Sequence, residues 1–206
     1  MRFSDVTSVM FRAPRKIMVR FSRCWNLLRF RAEGVEFGAD CVIEGCAAVY
    51  RRKGARIIVG DGFHLTGGHF INKISRSQSA CICAEDGSVI RIGNNVGMSS
   101  PCLWARSSIT VNDSAHIGAD CIIMDHDAHS LDWQDRRDYD GRDRKNIRTA
   151  PVVIGEDALI GARSIILKGV TVGNRSIVGA GSVVACDIPD DEIWAGAPAK
   201  FIRKVQ

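Results

Sequence analysis

Between Val152 and Val184 every sixth residue is aliphatic: Ile154, Ile160, Ile166, Val172, Val178 and Val184. Four residues after each of the first five stands a small or compact side chain: Ala158, Ser164, Val170, Ser176 and Ser182. Glycine follows the aliphatic position at Gly155, Gly161, Gly173 and Gly179. A period of six matches neither the repeat of a helix nor the simple alternation of a strand. It is the pattern of a parallel β-helix, in which each hexapeptide makes one short strand and one corner. The aliphatic side chain points inward, glycine lets the backbone bend, and the small residue fits the corner. Chance spacing in an ordinary β-rich domain would not keep six aliphatic positions in register.

The same period begins raggedly at Val35 with Phe37, Ile43 and Val49, and restarts at Val59, Leu65 and Ile71, at Ile92 and Met98, and at Val111, Ile117 and Ile123. Segments such as Tyr50–Arg56 and Asn72–Cys81 read as insertions between registers. Corners are marked by Gly38-Ala39-Asp40, Gly60-Asp61-Gly62, Gly93-Asn94-Asn95 and Gly118-Ala119-Asp120; Asn and Asp tolerate the left-handed conformation such corners need. One solenoid is therefore expected from about Val35 to about Val184. It is interrupted at Met124–Pro151, where the aliphatic register vanishes. There Asp125, Asp127, Asp132, Asp135, Asp138, Asp140 and Asp143 alternate with Arg136, Arg137, Arg142, Arg144, Lys145 and Arg148. A long polar loop thrown out of a regular solenoid is where function is expected. After Val184 the chain leaves the coil through the Ile188-Pro189-Asp190-Asp191 turn into a compact, basic tail. The expected organisation is an N-terminal segment 1–34 and a β-helix domain 35–206, with the loop at 124–151 and the tail at 185–206.

Segment 1–33 is distinct. Arg2, Arg12, Arg15, Lys16, Arg20, Arg23, Arg29 and Arg31 are opposed only by Asp5 and Glu33. Pro14 can open a helix at its first turn, after which Ile17, Met18, Phe21, Trp25 and Leu28 fall at helical spacing. Such a basic amphipathic helix either docks that apolar face over the end of the first coil or touches anionic lipid. Docking is the expected arrangement, and the two are compatible. No apolar run is long enough to span a bilayer, and no h-region with a cleavage site is present. The eight cysteines include no CxxC pair, which disfavours a zinc knuckle; Cys41, Cys121 and Cys186 are expected as small apolar packing residues. So many free thiols fit a cytoplasmic chain, with segment 1–33 as its means of reaching the inner face of the membrane. The formal charge of +5 is concentrated in one helix rather than spread along a face, which argues against nucleic acid.

The runs Ile154-Gly-Glu-Asp-Ala-Leu-Ile-Gly-Ala, Ile166-Leu-Lys-Gly-Val-Thr-Val-Gly, Val178-Gly-Ala-Gly-Ser-Val-Val, Asp187-Ile-Pro and Ala195-Gly-Ala-Pro-Ala-Lys together resemble the hexapeptide-repeat acyltransferases. The nearest likeness is to the galactoside/maltose acetyltransferase branch and the O-acetyltransferases of bacterial surface polysaccharides. The resemblance is strong over about Val111–Val205, weaker over Val35–Thr110, and does not reach the N-terminal helix. It implies an all-β fold, a left-handed parallel β-helix assembled as a homotrimer, acetyl-CoA lying along the prism as co-substrate, and a histidine base on the ejected loop. The left hand runs against the usual right-handed crossover rule and rests on the resemblance.

Acetyl transfer from a thioester to a hydroxyl needs a base for the alcohol proton, a donor for the tetrahedral oxyanion and a groove that aligns both substrates. Imidazole suits the base because it titrates near neutrality. The loop offers His126 and His129. The family pattern of His, a small residue, an aliphatic and Asp matches His129-Ser130-Leu131-Asp132, which makes His129 the expected base and His126 the second choice. Asp125 or Asp127 is expected to orient the imidazole or bind the acceptor. The same Asp125, His126, Asp127 and His129 could instead form a metal site, or a solvated loop. His64, His69 and His116 raise the alternative of a carbonic-anhydrase-like β-helix, but the spaced pair precedes the lone histidine, the reverse of that family's order; no metal is expected. For acetyl-CoA the resemblance implicates Ala162, Ala180, Ala185, Cys186, Trp194, Lys200 and Arg203. Ala185 and Cys186 stand where relatives have Thr-Lys. Ser99, Ser100 or Ser107 occupies the neighbourhood of a sugar-binding Asn that has no match here. The expected reaction is O-acetylation of a sugar or polysaccharide hydroxyl by direct attack, since no G-x-S-x-G elbow supplies a nucleophile. N-acetylation of an amino sugar, O-acetylation of an antibiotic and a non-catalytic scaffold are the alternatives.

Overall fold

The computed structural model describes residues 3–206 apart from 69–70, 72–73, 75–77 and 138–139, with side chains from residue 17 onward. His69 and Asp138, singled out in the sequence, lie outside the described residues. Helix α1 (Phe3–Ala32) leads into a prism of stacked coils, each contributing one short strand to each of three parallel sheets. The first coil is β1 (Glu36–Phe37), β2 (Val42–Gly45) and β3 (Ala47–Arg51). The second is β4 (Arg56–Val59), β5 (His64–Gly67) and β6 (Ala80–Ala84); the third is β7 (Val89–Ile92), β8 (Gly97–Ser99) and β9 (Cys102–Ala105). The fourth is β10 (Ser108–Val111), β11 (His116–Ile117) and β12 (Ile122–Met124). The loop follows, with the short helices α2 (Trp133–Arg137) and α3 (Arg142–Lys145). Two regular coils come next: β13 (Val152–Ile154), β14 (Leu159–Ile160), β15 (Ile165–Ile166), then β16 (Thr171–Val172), β17 (Ile177–Val178), β18 (Val183–Val184). Strand β19 (Glu192–Gly196) adds in parallel to β17, and β20 (Ala199–Lys204) closes the end antiparallel to it.

The sheet orders are β1-β4-β7-β10-β13-β16 for sheet A, β2-β5-β8-β11-β14-β17-β19-β20 for sheet B and β3-β6-β9-β12-β15-β18 for sheet C. The chain is a left-handed parallel β-helix with one N-terminal helix. The hexad residues fill the prism: Ile154, Ile160, Ile166, Val172, Val178 and Val184 are all fully buried, the first three stacked on Val111, Ile117 and Ile123 of the coil before the loop and the last three on the first three. Burying each such side chain contributes about 1.5–3 kcal/mol. The corner serines Ser164, Ser176 and Ser182 are buried with their hydroxyls donating to Gly179, Pro189 and Gly179 carbonyls at 3.1, 2.6 and 2.6 Å, so the compact corner side chain also satisfies a backbone acceptor.

The corners explain the glycines. A Cβ on Gly161 would lie 2.4 Å from the Ala180 backbone nitrogen of the next coil, so the close stacking of coils excludes any side chain there. Two residues on, the chain takes the left-handed conformation at Asp40, Asn95, Asp120 and Asp157, as the turn residues predict, and also at Arg163 and Arg175. Tyr50–Arg56 is no insertion: β3 runs to Arg51, and a tight turn leads into β4. Of the cysteines expected to pack, Cys121 is buried, Cys41 half-buried and Cys186 exposed.

Helix α1 departs from expectation twice. It begins at Phe3, so Pro14 stands in its interior; one forfeited donor does not end a helix of 30 residues. It also docks by the opposite face. Ile17, Met18, Phe21, Trp25 and Leu28 are 51–70% exposed, whereas Asn26 and Phe30 are buried. The reason is the partner, the unpaired edge of β2, which offers backbone groups that only polar side chains can satisfy. Asn26 Nδ2 donates to the Ile43 and Gly45 carbonyls at 3.2 and 2.8 Å, Ser22 Oγ accepts the Gly45 N–H at 3.0 Å, and Arg23 pairs with Glu44.

Candidate active site

The loop leaves the prism where sheet C turns into sheet A, at the end of β12. Asp125 is fully buried there, and its carboxylate accepts the Arg106 and Ser107 N–H groups of the preceding coil at 2.8 and 2.6 Å. Burial pushes its carboxyl upward and those N–H groups pull it back. The two loop strands zip together at their base: Ala150 N–H donates to Asp125 O at 2.8 Å, Asp127 N–H to Arg148 O at 3.2 Å, and His126 bridges Thr149. Lys168 of the next coil pairs with Asp127. The stem is thus fixed to the coils on both sides of it.

Beyond the stem, α2 and α3 fold back over His129. The His129 Nδ1 lies 2.7 Å from Asp143 Oδ2, and Asp143 Oδ1 accepts the Ser130 N–H at 2.7 Å. These two contacts, the imidazole first, hold the Asp143 carboxyl below its usual range. An ionised carboxylate only accepts, so Nδ1 is the donor and Nε2 is the ring nitrogen left without a partner in this pair. The Ser130 hydroxyl donates to Asp135 Oδ2 at 2.8 Å, Asn146 Nδ2 donates to the same oxygen at 2.8 Å, and Arg136 holds the Ser130 carbonyl at 2.6 Å. Arranged this way, the loop delivers one oriented, solvent-facing imidazole whose side chain is 69% exposed. It borders a cleft of about 410 Å³ lined by Arg52, Glu85, Trp104, Arg106 and Arg144. Arg144 reaches Glu85 at 3.4 Å and Arg106 donates to the Arg144 carbonyl at 3.2 Å, which ties the loop to the outer face of sheet C.

His126 has a different environment. It is buried, its ring stands edge-on to Trp104 with centroids 4.5 Å apart, and its Nδ1 accepts the Ala128 N–H at 2.9 Å. Burial lowers its pKa. Asp125, His126, Asp127 and His129 therefore turn to four different partners rather than to one centre. The carboxylate that orients His129 is that of Asp143, where Asp125 or Asp127 had been expected, because Asp125 is spent on backbone donors and Asp127 on Lys168.

Residues 151–186 match the family model described as the hexapeptide repeat of succinyl-transferase. The chain is 51% identical over 55 residues to a 2,3,4,5-tetrahydropyridine-2,6-dicarboxylate N-acetyltransferase of Clostridium perfringens, covering 27% of this chain and 23% of that protein. It is 31% identical over 121 residues to the galactoside O-acetyltransferase of Escherichia coli, covering 58% and 56%. The chain carries the hexapeptide repeat over residues 151–186 and is similar over a longer stretch to a hexapeptide-repeat acetyltransferase. It spans about half or less of the length of these relatives. Among solved structures, a galactoside acetyltransferase in complex with coenzyme A superposes with a TM-score of 0.51 at 19% identity over 83% of this chain and 65% of that one. A variant of AntD, an N-acyltransferase from Bacillus cereus, in complex with dTDP-4-amino-4,6-dideoxyglucose and coenzyme A, gives 0.62 at 18% identity over 86% and 88%. These likenesses show the fold.

In this hexapeptide-repeat protein the other expected site residues fall in several places. Ala162 and Ala180 are stacked at the edge between sheets B and C, where Gly161 approaches Ala180. Ala185 and Cys186 are exposed at the edge between sheets C and A, the edge from which the loop emerges two coils earlier. Trp194, Lys200 and Arg203 lie on the β19–β20 hairpin at the far end of sheet B; Trp194 Nε1 donates to Glu192 at 2.8 Å and its ring meets Phe201. A single donor touching that hairpin and His129 has to extend along the prism. Ser107 lends only its backbone N–H to Asp125. Ser99 is on β8 of sheet B, its hydroxyl 3.3 Å from that of Thr66, in a groove shared with His64 and His116 and separate from the His129 cleft. Ser100 is buried and accepts the Gly68 N–H at 3.2 Å.

Proposed function

We propose that the chain is an acetyl-CoA-dependent O-acetyltransferase, acting as a homotrimer on a hydroxyl of a sugar or surface polysaccharide. The observation that carries this reading is the His129–Asp143 pair, with Nε2 free at the mouth of the cleft. His129 Nε2 takes the hydroxyl proton while the oxygen attacks the acetyl carbonyl carbon. Collapse of the tetrahedral intermediate breaks the carbon–sulfur bond, and the departing thiolate of coenzyme A recovers the proton from the imidazolium. No acyl-enzyme forms. Asp143 keeps the imidazole in the tautomer and orientation this requires and stabilises the imidazolium that appears. The galactoside O-acetyltransferase relative and the coenzyme A-bound galactoside acetyltransferase support the donor and the acceptor class. Ala162, Ala180, Ala185, Cys186, Trp194, Lys200 and Arg203 are assigned to the coenzyme. The two basic side chains, both exposed on the hairpin, suit its phosphates.

A second reading, N-acetylation of an amino sugar, is supported by AntD and by the N-acetyltransferase relative that matches over 55 residues. Thiol release from acetyl-CoA against a panel of mono- and oligosaccharides, amino sugars and antibiotics decides between them. Release only with hydroxyl acceptors, lost in His129→Ala, establishes O-acetylation; release only with amines replaces it by the second reading. No release with any acceptor and no acetyl-CoA binding would return the chain to the scaffold alternative.

A further inference from the structure

Helix α1 is held to the prism by the polar contacts of Ser22, Arg23 and Asn26 and by buried Phe30, and five other large apolar side chains face away. At about 100° per residue, Ile17, Met18, Phe21, Trp25 and Leu28 occupy one arc of about 100°. All five are more than half exposed. On the same helical projection Arg20 and Arg31 flank one side of that arc and Arg29 the other; all three are exposed, and Arg29 also donates to the Ala47 carbonyl at 3.4 Å. Such a stripe is larger than solitary surface apolar residues and demands a cover.

We propose that this face lies in the interface of an anionic membrane, with α1 parallel to the surface as a peripheral anchor. The charge pattern selects the occupant. Aliphatic and aromatic side chains bordered on both sides by arginine fit the boundary between acyl chains and negative headgroups, with the guanidinium groups at headgroup depth. A second copy of the same face would instead set arginine flank against arginine flank. The docking mode fixes the orientation: Asn26, Ser22 and Arg23 are engaged with β2, so the helix cannot roll its apolar stripe onto the prism without abandoning those bonds. No helix among the described residues is long and apolar enough to cross a membrane, so the contact is along the surface. This proposal is independent of the acceptor and of His129.

The test is co-sedimentation of the full chain with vesicles of phosphatidylcholine alone and of phosphatidylcholine with phosphatidylglycerol. Sedimentation is expected with the anionic vesicles, weakened at high ionic strength, and not with the neutral ones. Phe21→Glu/Trp25→Glu should lower the partition coefficient by roughly tenfold or more, with the thermal transition kept because both side chains point away from the core. Arg20→Glu/Arg31→Glu should remove the preference for anionic vesicles while leaving the apolar stripe intact. Failure of the native chain to bind anionic vesicles, or equal binding by the Phe21→Glu/Trp25→Glu variant, would overturn the proposal. So would dissociation of a lipid-free oligomer by that variant, which would assign the face to a second copy.

Discussion

Asp143 Oδ2 sits 2.7 Å from His129 Nδ1, although the two are 14 positions apart along the loop. The same carboxylate receives the Ser130 N–H through its other oxygen. One side chain therefore fixes both the ring and the backbone that follows it, and it can do so only because α3 folds back across the stem. Loss of either partner should be felt in the chemistry before it is felt in the fold, since both lie on the outside of the prism.

His129→Ala is expected to leave the coils intact and to lower turnover by about two to four orders of magnitude, the usual worth of a general base. Steady-state thiol release, compared with the thermal midpoint of the same preparation, checks it. Turnover near the native value would remove His129 from the base role.

Asp143→Asn acts through the imidazole. It keeps the shape but can present an amide where the carboxylate accepted, which permits the wrong tautomer. The expected result is a fall in kcat of about tenfold to a hundredfold with the KM for acetyl-CoA unmoved. A change confined to KM would make Asp143 part of the donor site instead.

His126 is expected to act on stability rather than on turnover, since it is buried. Its folded pKa is lowered by burial, so the folded state favours the neutral ring. The stabilising contribution is present above the ordinary histidine value and is lost as pH falls through the lowered folded value. Protonation also ends the acceptor role of Nδ1 toward Ala128 N–H. Thermal midpoints measured from pH 7 down to pH 5 should fall more steeply for the native chain than for His126→Asn, which keeps an acceptor and cannot titrate. Parallel curves would show that His126 is not the titrating group.

Asp125→Ala strands two buried N–H groups, those of Arg106 and Ser107, and should cost about 2–4 kcal/mol by denaturant unfolding. Asp125→Asn, which retains an accepting oxygen, should cost less. Equal losses would mean that charge rather than hydrogen bonding holds this corner.

Gly161→Ala places a Cβ 2.4 Å from the Ala180 backbone nitrogen and should destabilise by about 1–3 kcal/mol through forced separation of two coils. Gly181→Ala is the control for space: nothing lies within 4 Å of its Cβ, and only its positive φ of 71° resists substitution. An unchanged midpoint for Gly161→Ala would mean that the coils are not packed at that spacing.

The solenoid was legible because inward-pointing residues recur at a fixed interval: Ile154 to Val184 announce six strands without reference to anything distant, and the break at Met124 marks the loop by the loss of that interval. His129 is singled out by the resemblance of His129-Ser130-Leu131-Asp132 to a family pattern, and its role is tested by the variant above. Asp143 could not be singled out, being one of several acids in a polar segment with no period; the signal available was only that one of them had to reach the imidazole. The docking face of α1 was misread for a related reason. Helical spacing shows that Ile17, Phe21, Trp25 and Leu28 share a side, but not what that side meets. Sequence alone determined the repeat, the core and the place of the excursion, because these depend on short-range periodicity. Tertiary structure decided which acid orients His129, which imidazole is buried and which side of α1 faces outward. Those outcomes depend on groups brought together across the fold, above all the unpaired backbone of β2 and the stem between Asp125 and Ala150.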